Sequence, residues 1–470
     1  MNHREKRVAI VGGGITGLSA AFYLKKEAEQ RGWNLSLTLI ESQNRLGGKI
    51  ATEQTDGFVM EKGPDSFLER KPSAKQLVTD LGLEDQLVRN QTGQAYILHH
   101  SQLIPIPEGA VMGVPTRLAP FAFTPLFSPA GKIRAAGDLV LPRSRSEEDV
   151  SVGSFFRRRL GDEVVDKLIE PLLSGIYAGN IDRLSLMATF PQYVRMEKNH
   201  RSLILGTKKT RSSSATGNRS RPKGQFLTLK RGLSHIVDAL EEYLSSSSLL
   251  KGTALQHMEP LREGYRLQLD SGEEITADAV VMAVPHSVVS KALPAFDFLQ
   301  RKEPLPFTSV ATVIMGYDES SVFLDREGTG FVVPREEETT ITACTWTHKK
   351  WPHTTPSGKV MLRCYVGRFG DEGIVDEPDD TIVNHVQKDL KKILNIQSPP
   401  EWTRVTRWRR AMPQYTVGHA NWVQRLKEQT RHRLPGLFLT GASYSGVGIP
   451  DCIDQGKEAA REVLELLGKA

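Results

Sequence analysis

The order of apolar and polar positions near the N-terminus predicts a strand, a helix and a second strand. The apolar run from Arg7 to Val11 is typical of a buried strand, and Gly12 to Gly14 end it before a helical stretch that begins at Ile15. The stretch Leu35 to Ile40, LSLTLI, predicts a second strand parallel to the first. The chain therefore opens with a predicted βαβ unit.

The middle of the chain has helical spacing. Between Ser151 and Leu173 apolar residues recur every three or four positions, and the pattern predicts that Arg157, Arg158 and Arg159 occupy the opposite, polar face. From Gly206 to Gly224 the chain carries six basic residues, no acid and no large apolar residue. This segment is predicted to be a flexible basic surface loop.

Strand patterns return in the second half of the chain, around residues 265–269, 279–284, 309–315 and 360–366. The segment that begins at Gly436 then predicts a strand, a glycine-rich turn and an amphipathic helix. This order repeats that of the first segment, so the two ends of the chain are predicted to complete one nucleotide-binding domain. The predicted fold class is α/β with α+β insertions.

Composition narrows the class of protein. A net charge of +6 over 470 residues is modest and interspersed with acids, which gives no indication of nucleic-acid binding. The three cysteines lie far apart without metal-ligand spacing, so neither a disulfide framework nor a metal site is predicted. The N-terminus lacks a signal-peptide pattern, and we expect a cytoplasmic protein.

The stretch Leu118 to Gly131, LAPFAFTPLFSPAG, is the most apolar segment of the chain. It is interrupted by prolines and is shorter than the roughly 18 residues that a membrane span needs. The stretch is compatible with lying in a membrane interface, which would make the protein peripheral at a membrane, or with lining an apolar tunnel.

A glycine motif follows the first predicted strand directly. Its glycines match GxGxxG: the first allows a tight turn, the second lets a pyrophosphate approach the backbone, and the third permits close packing of helix on strand. Free N–H groups at the helix N-terminus would then bind the phosphates. The predicted binding turn consists of Gly12, Gly13, Gly14, Ile15, Thr16 and Gly17.

An acid at the end of the second strand indicates a dinucleotide. Glu41, followed by Ser42, is placed to accept hydrogen bonds from ribose hydroxyls and disfavours a 2′-phosphate. The glycine pair in Arg45-Leu46-Gly47-Gly48-Lys49 resembles an extension found in the FAD-dependent amine oxidase and phytoene desaturase superfamily. The predicted cofactor is therefore FAD, and Arg45, Gly48 and Lys49 are candidate contacts.

Three later segments resemble cofactor contacts of the same superfamily. The strand that follows Asp278, and Leu255 before it, correspond to a segment beside FAD where Leu255 offers a backbone contact to adenine. Trp408 corresponds to a residue near the flavin ring. Near the C-terminus a turn precedes a helix whose N–H groups are predicted to face the flavin. The residues of this turn are Gly446, Val447, Gly448 and Ile449.

Longer stretches narrow the resemblance to the bacterial porphyrinogen oxidases of haem synthesis. They are GPDSFLERK (63–71), IEPLLSGIYAG (169–179), ITACTWTHKKWP (341–352) and GVGIPDCIDQGK (446–457). The resemblance implies a fold with two dinucleotide-binding-domain motifs, a helical domain and a β-rich substrate domain. The implied boundaries are an FAD-binding domain at 1–70, 225–290 and 401–470, a substrate domain at 71–95 and 291–400, a helical domain at 96–205 and a basic loop at 206–224.

The resemblance also implies a reaction. Coproporphyrinogen III would lose six electrons to become coproporphyrin III, in three two-electron cycles, while oxygen is reduced to hydrogen peroxide. Positioning of the substrate against the flavin would carry much of the catalysis. Transient contacts with other enzymes of haem synthesis are expected as well.

Candidate binding residues follow from the same resemblance. The segment Gly63, Pro64, Asp65 and Ser66 is expected to contact FAD. Lys71, beside it, is the first candidate to bind a substrate propionate, and Tyr365 is a candidate pocket residue.

Other functions remain open from the sequence. Protoporphyrinogen IX oxidation uses the same chemistry on a substrate with two fewer propionates. An amine oxidase or carotenoid desaturase fits the GVGIPDCIDQGK ending poorly. A non-catalytic FAD-binding partner of the haem pathway is a further alternative from a different class.

Overall fold

The structure is a computed structural model that describes residues 5–144, 148–213 and 224–468. Its strands, in chain order, are β1 (Lys6–Val11), β2 (Leu35–Glu41), β3 (Thr52–Thr55), β4 (Phe58–Glu61), β5 (Phe67–Leu68), β6 (Leu87–Arg89), β7 (Tyr96–His99), β8 (Gln102–Pro105), β9 (Ala110–Val111), β10 (Val114–Pro115), β11 (Phe226–Leu229), β12 (Ser248–Lys251), β13 (Leu255–Pro260), β14 (Tyr265–Leu269), β15 (Glu274–Ala277), β16 (Ala279–Met282), β17 (Phe307–Asp318), β18 (Gly330–Val332), β19 (Ile341–Trp346), β20 (Lys359–Val366), β21 (Trp402–Pro413) and β22 (Leu437–Leu439).

The α-helices lie between and after these strands. They are α1 (Ile15–Gln30), α2 (Pro72–Asp80), α3 (Leu118–Phe123), α4 (Pro129–Ala136), α5 (Val152–Leu160), α6 (Asp162–Val164), α7 (Glu170–Tyr177), α8 (Leu186–Thr189), α9 (Pro191–His200), α10 (Leu203–Ser213), α11 (Ser234–Tyr243), α12 (His286–Ala292), α13 (Thr347–Lys350), α14 (Asp379–Leu394), α15 (His419–Arg433) and α16 (Ile449–Leu467).

A five-stranded parallel sheet, ordered β12-β2-β1-β16-β22, collects strands from the start, middle and end of the chain. Residues Val8 to Val11 of β1 and all four residues of β16 are apolar and buried, as parallel strands covered on both faces require. Helices α1 and α16 cross closely on one face, because Gly456 has no side chain: a Cβ there would lie 2.3 Å from the carbonyl oxygen of Thr16. The antiparallel strands β13, β14 and β15 contribute to the core on the other face.

A seven-stranded sheet, ordered β21-β17-β20-β19-β18-β7-β8, forms the second layer that matters for the site. It is antiparallel except for the pair β18 and β7. Buried Ile382, Val386 and Leu390 of α14 belong to its hydrophobic core. The register between β17 and β21 shifts between Thr308 and Val310, and this irregularity lies opposite Arg409 to Ala411. Bulges of this kind re-aim side chains next to binding sites.

The prediction that three consecutive arginines of the middle helices lie on a polar face is wrong for Arg159. Arg157 and Arg158 are partly exposed, but the side chain of Arg159 is fully buried. Its guanidinium donates to the Asp138 carboxylate at 2.6 Å and to the carbonyl oxygen of Arg201 at 2.7 Å. Because these partners come from distant parts of the chain, helical spacing alone could not reveal an internal ion pair.

The prediction of a loop for the basic segment is also wrong for residues 206–213, which continue helix α10 to Ser213. Buried Leu203 and Ile204 anchor the start of this helix, and the Ser202 hydroxyl accepts from the backbone N–H of Leu205 at 3.1 Å. Lysine and arginine are good helix formers, so a basic composition does not end a helix that is anchored in this way. Residues 214–223 of the predicted loop lie outside the described residues.

The apolar stretch 118–131 divides between the interior and the surface. Phe121 and Phe127 pack together inside the helical core, whereas Phe123 is 86% exposed. None of its residues is among those that line the main cavity of the described structure, so the alternative that the stretch lines a tunnel is not supported there. Within the described chain, no helix combines the length and the apolar character needed to cross a membrane.

Candidate active site

A cavity of about 2220 Å³ lies between the parallel sheet and the seven-stranded sheet. At one end it is lined by the glycine turn after β1 and the end of β2; at the other it is lined by β17, β19, β20, β21 and helix α7. The two ends belong to one continuous space. It is large enough to hold a dinucleotide and a second organic molecule, since ordinary ligand pockets measure about 300–1,000 Å³.

The glycines of the first turn differ in what a side chain would meet. A Cβ at Gly12, whose φ is +107°, would lie 2.5 Å from the carbonyl oxygen of Ala283. A Cβ at Gly17 would lie 1.9 Å from the carbonyl oxygen of Gly12, so close packing of helix on strand requires glycine there. A Cβ at Gly14 meets nothing within 4 Å and would project into open space. Gly14 thus leaves room beside the backbone, as a bound pyrophosphate requires.

Two helix N-termini border the cavity. Gly14 is the N-cap of α1 and Gly448 is the N-cap of α16, and neither helix has a side chain that caps its first N–H groups. Ile15, Thr16, Val447 and Ile449 line the cavity beside them, whereas Gly13, Gly17 and Gly446 are not among its lining residues. Uncapped N–H groups and the positive ends of two helix dipoles suit an anionic group at each position.

Glu41 ends β2 at the rim of the glycine turn. Its carboxylate accepts hydrogen bonds from the backbone N–H of Gly13 at 2.7 Å and of Gln43 at 2.8 Å. Glu41, Ser42 and Leu255 line the cavity together. Thr253 and Ala254 line the same end and were missed from the sequence, because a polar turn without a motif carries no signal of its own.

The second glycine pair packs against the first turn. Gly47 donates its N–H to the carbonyl oxygen of Gly13 at 2.8 Å, and a Cβ at Gly48 would approach the Cα of Gly14 to 3.1 Å. Arg45 holds this turn through its guanidinium, which donates to the carbonyl oxygen of Gly48 at 2.6 Å. Lys49 projects into the cavity, where surrounding protein lowers the pKa of its ammonium group by desolvation. An anionic ligand beside it would favour the charged form of this amine.

Of the segment 63–66, Gly63, Pro64 and Ser66 line the cavity but Asp65 does not. The Asp65 carboxylate accepts from the Lys350 ammonium at 2.7 Å and from the Trp351 indole N–H at 3.2 Å. Burial acts to raise the pKa of Asp65, but the charges of Lys350 and Arg363 outweigh it and hold the pKa well below its usual range. Asp65 therefore fastens this segment to the seven-stranded sheet from behind.

Trp408 and Tyr365 line the cavity from the seven-stranded sheet. The Trp408 indole N–H donates to the carbonyl oxygen of Lys62 at 2.9 Å, which fixes the ring beside the segment that contains Gly63. Burial raises the pKa of Tyr365, so its phenol stays protonated at neutral pH. The Arg363 guanidinium lies 4.8 Å from the Tyr365 ring centroid and donates to the carbonyl oxygen of Gly63.

Lys71 is not among the residues that line the cavity. Its ammonium donates to both carboxylate oxygens of Asp451, at 2.5 and 2.7 Å. Asp451 lies in the first turn of α16, and a Cβ at Gly446 would approach its Cβ to 2.7 Å. In this structure Lys71 supports the turn at the start of α16 rather than presenting its charge to the cavity.

Several cations at the sheet end of the cavity were missed from the sequence. Among the described residues no carboxylate pairs with Arg410, a lining residue whose φ of +47° lies in the irregular part of β21. Arg368 also lines this end; burial lowers the pKa of its guanidinium, and its contact with Asp371 is long at 3.8 Å. The RWRR sequence around Trp408 gave the one available signal, but it could not separate Arg410 from Arg407, which pairs with Asp379.

The fold and the cavity together define a dinucleotide-binding protein, whose glycine turns suit a phosphate-containing cofactor and whose opposite end is lined by arginines. A family model described as flavin containing amine oxidoreductase matches residues 15–464. The chain belongs to this family and is an FAD-dependent oxidoreductase. The predicted fold class, the predicted FAD and the resemblance stated above are confirmed.

Relatives extend over the whole chain. It is 52% identical to the coproporphyrinogen III oxidase of Bacillus subtilis, covering 99% of this chain and 100% of that protein. It is 43% identical to the coproporphyrinogen III oxidase of Staphylococcus aureus, covering 98% and 99% of the two chains. A crystal structure from Exiguobacterium sp. that carries the name of a protoporphyrinogen oxidase is 42% identical, with a TM-score of 0.86 and coverage of 97% and 98%.

Proposed function

We propose that this enzyme oxidises coproporphyrinogen III to coproporphyrin III in haem synthesis. Three molecules of oxygen would accept the six electrons and six protons that are removed, giving three molecules of hydrogen peroxide. The observation that carries the proposal is the continuous cavity, which joins a dinucleotide end to a cation-lined end in a chain with full-length relatives of that name.

The charges at the sheet end support a tetracarboxylate substrate. Arg410 lines that end without an acidic partner among the described residues, and Arg368 lines it with a long 3.8 Å contact to Asp371. Guanidinium groups bind carboxylates in a planar, two-point geometry, so each is suited to one propionate. Apolar lining residues such as Val310, Val332 and Met412 would contact the pyrrole and methyl groups between them.

The chain's residues position the substrate and exclude water. Bound FAD supplies a two-electron acceptor. Gly14 and Gly448 would leave its phosphates and ring access to free backbone N–H groups, and Trp408, which lines the cavity, would contact the flavin. Holding a reacting carbon in contact with the acceptor, in a cavity closed by apolar walls, would supply much of the rate enhancement.

Tyr365 and Lys71 remain proposed substrate-site residues. Tyr365 lines the cavity, and because burial keeps its phenol protonated it can donate a hydrogen bond to the substrate but cannot act as a strong base. Lys71 would have to share its ammonium between Asp451 and a propionate, since both Asp451 oxygens already bind it.

Protoporphyrinogen IX is the second candidate substrate, and the name of the Exiguobacterium structure favours it. Aerobic turnover of the two porphyrinogens by the purified holoenzyme, with peroxide measured, would distinguish them. We expect coproporphyrinogen III to be preferred because a pocket with more cations stabilises four propionates better than two. A clear preference for protoporphyrinogen IX would overturn the assignment, and FAD-loaded protein without oxygen consumption on either substrate would favour the non-catalytic alternative.

We also propose that the protein is cytoplasmic and contacts a membrane surface peripherally. Leu118, Phe123, Ile133 and Val140, all within one segment of the helical region, are between 56% and 86% exposed. Exposed apolar side chains of this number suit an interface. Replacement of Phe123 and Leu118 by serine should reduce flotation with anionic vesicles; Phe121 and Phe127 are unsuitable targets because they are core residues.

A further inference from the structure

A cluster of three potential metal ligands lies outside the cavity, at the edge of the seven-stranded sheet. His99 ends β7, and His100 follows it in the tight turn that joins β7 to β8. Glu337 belongs to the segment between β18 and β19. One ligand atom from each of the three side chains lies within 4.8 Å of the other two. We propose that these residues bind a divalent transition-metal ion of the Zn²⁺ class.

The geometry of His99 is the first support. Among the described residues, its Nδ1 is buried without a hydrogen-bond partner, and it lies 4.0 Å from the Glu337 carboxylate. That separation is too long for a hydrogen bond. A buried imidazole nitrogen that faces a carboxylate oxygen across a gap is costly to leave unsatisfied, and a cation between the two would satisfy both.

The turn itself is the second support. His100 and Ser101 have φ of 50° and 61°, and the backbone N–H of His100 donates to Glu337 Oε1 at 2.7 Å. This bond fixes the carboxylate beside the turn. The two histidine rings are only 4.1 Å apart between centroids, so consecutive residues present both imidazoles to one point. The His100 side chain is exposed and can rotate to complete the site.

The donor set identifies the class of ion. Two imidazoles and one carboxylate suit Zn²⁺ and similar ions rather than Mg²⁺ or Ca²⁺, which prefer all-oxygen sites. In tetrahedral zinc the ligand atoms lie about 3.4 Å apart, so the cluster needs only a modest contraction. The nearby cation Lys167 is already paired with Glu163 at 2.9 Å, which reduces its repulsion of a bound ion.

Such an ion would connect the β7–β8 turn to the segment between β18 and β19, in addition to the hydrogen bond from the His100 N–H to Glu337. The segment that contains Glu337 also contains Arg335, whose guanidinium donates to Glu170 at 2.8 Å and to the carbonyl oxygens of Gly179 and Phe369 at 3.2 Å. These partners adjoin lining residues of the cavity. The ion would therefore brace the outer edge of the substrate end without touching the substrate.

Calorimetric titration of the FAD-loaded enzyme with ZnCl₂, after removal of metals with a chelator, tests the proposal. We expect one equivalent of Zn²⁺ to bind and the melting temperature to rise with Zn²⁺ concentration. His100→Asn removes one ligand but keeps a residue that tolerates the left-handed turn conformation. It should weaken binding about tenfold or more, since loss of groups that merely orient ligands already costs about that much.

Two further variants separate this site from adventitious binding. His432→Asn removes an exposed histidine on α15, and we expect it to bind Zn²⁺ as the unmodified enzyme does. Glu337→Gln keeps an oxygen acceptor for the His100 N–H and removes the charge, and it should weaken binding as His100→Asn does. The proposal is overturned if the unmodified enzyme binds no Zn²⁺ at micromolar concentration, or if His100→Asn and Glu337→Gln bind it unchanged.

Discussion

The two ends of the cavity are built in different ways. At the dinucleotide end the groups that face the ligand are largely backbone N–H groups, freed by Gly14 and Gly448 at the starts of α1 and α16. At the sheet end they are side chains, among them Tyr365 of β20, Arg410 of β21 and Arg368 in the turn after β20, brought together by the folding of one sheet.

The difference determines what a sequence can reveal. A backbone site needs glycine at fixed positions because a Cβ would collide with the backbone or fill the ligand space, and so it leaves a motif. A side-chain site needs only that suitable residues meet in space, and their spacing along the chain is set by the fold. Substitutions at the two ends should therefore fail in different ways.

The largest expected effect is that of Gly14→Val at the dinucleotide end. The new side chain would meet no protein atom within 4 Å of its Cβ, and the φ of −72° suits valine, so the apoprotein should fold. The side chain would instead occupy the space of the pyrophosphate, and FAD binding should be lost. The flavin absorbance of the purified variant and its circular dichroism spectrum measure the two effects separately.

Gly373→Val is the matched control, since Gly373 also has nothing within 4 Å of a Cβ and lies away from the cavity. It should retain FAD. Gly17→Ala should instead impair folding, because its Cβ would collide with the carbonyl oxygen of Gly12. Normal flavin content in Gly14→Val would show that the pyrophosphate does not lie against this turn.

The second effect concerns the ion pair between Asp65 and Lys350, which anchors the cavity segment 63–66. Lys350→Met should lower the free energy of unfolding by about 3–5 kcal/mol, because it leaves the buried Asp65 carboxylate without its main counter-charge. Urea denaturation of the holoenzyme measures the loss. Adding Asp65→Leu should restore part of it, since removing both charges ends the penalty; a double variant less stable than Lys350→Met would contradict this account.

At the sheet end, Arg410→Ala should raise the KM for coproporphyrinogen III about tenfold, or about 1.4 kcal/mol, with a much smaller change in kcat. The increase should shrink at high salt because the guanidinium is partly exposed. Arg404→Ala is the control, since Arg404 lies on the same strand, pairs with Glu53 at 2.9 Å and is not among the lining residues of the cavity. Equal KM values for the two variants would remove Arg410 from the substrate site.

The smallest expected effect is that of replacing Lys71. It tests whether Lys71 supports the cofactor-binding turn before α16 or binds the substrate. If Lys71 supports the turn before α16, Lys71→Met and Asp451→Asn should each weaken FAD binding only about threefold, because the pair is partly exposed, and the double variant should be no worse. If Lys71 binds a propionate, Lys71→Met should instead raise the KM about tenfold and leave FAD affinity unchanged. Fluorescence titration of the apoprotein with FAD and steady-state kinetics decide between them.

The dinucleotide end of the cavity could be predicted from the sequence better than the sheet end. The strand and helix around Gly12 to Gly17, and the return of the C-terminal segment to the same sheet, were predicted because apolar runs and glycine spacing are local signals. The predicted domain boundaries and the individual cofactor contacts stay predictions. Asp65, at a predicted contact position, acts from behind the cavity wall, which its sequence neighbours could not indicate.

The errors share one physical cause. Helical spacing predicts that Arg159 lies on the polar face, but Asp138 and Glu197 supply counter-charges from elsewhere in the chain, and its side chain is buried. Arg410 could not be identified from the sequence because it is one of several closely spaced arginines. Only the structure shows that Arg407 and Arg409 pair with acids, with Asp379 and Asp376. Local sequence patterns do not show which charged residues pair with residues from distant parts of the chain.

The order of strands in the parallel sheet has a consequence for how the enzyme is made. Strand β22 and helix α16, which complete the dinucleotide end, are synthesised roughly 400 residues after the first glycine turn. At about 5–20 residues per second, the first turn waits tens of seconds for its partner. Nascent chains should therefore remain unable to retain flavin until β22 and α16 have emerged, and a premature stop codon before residue 437 should yield a colourless product however complete its N-terminal motif.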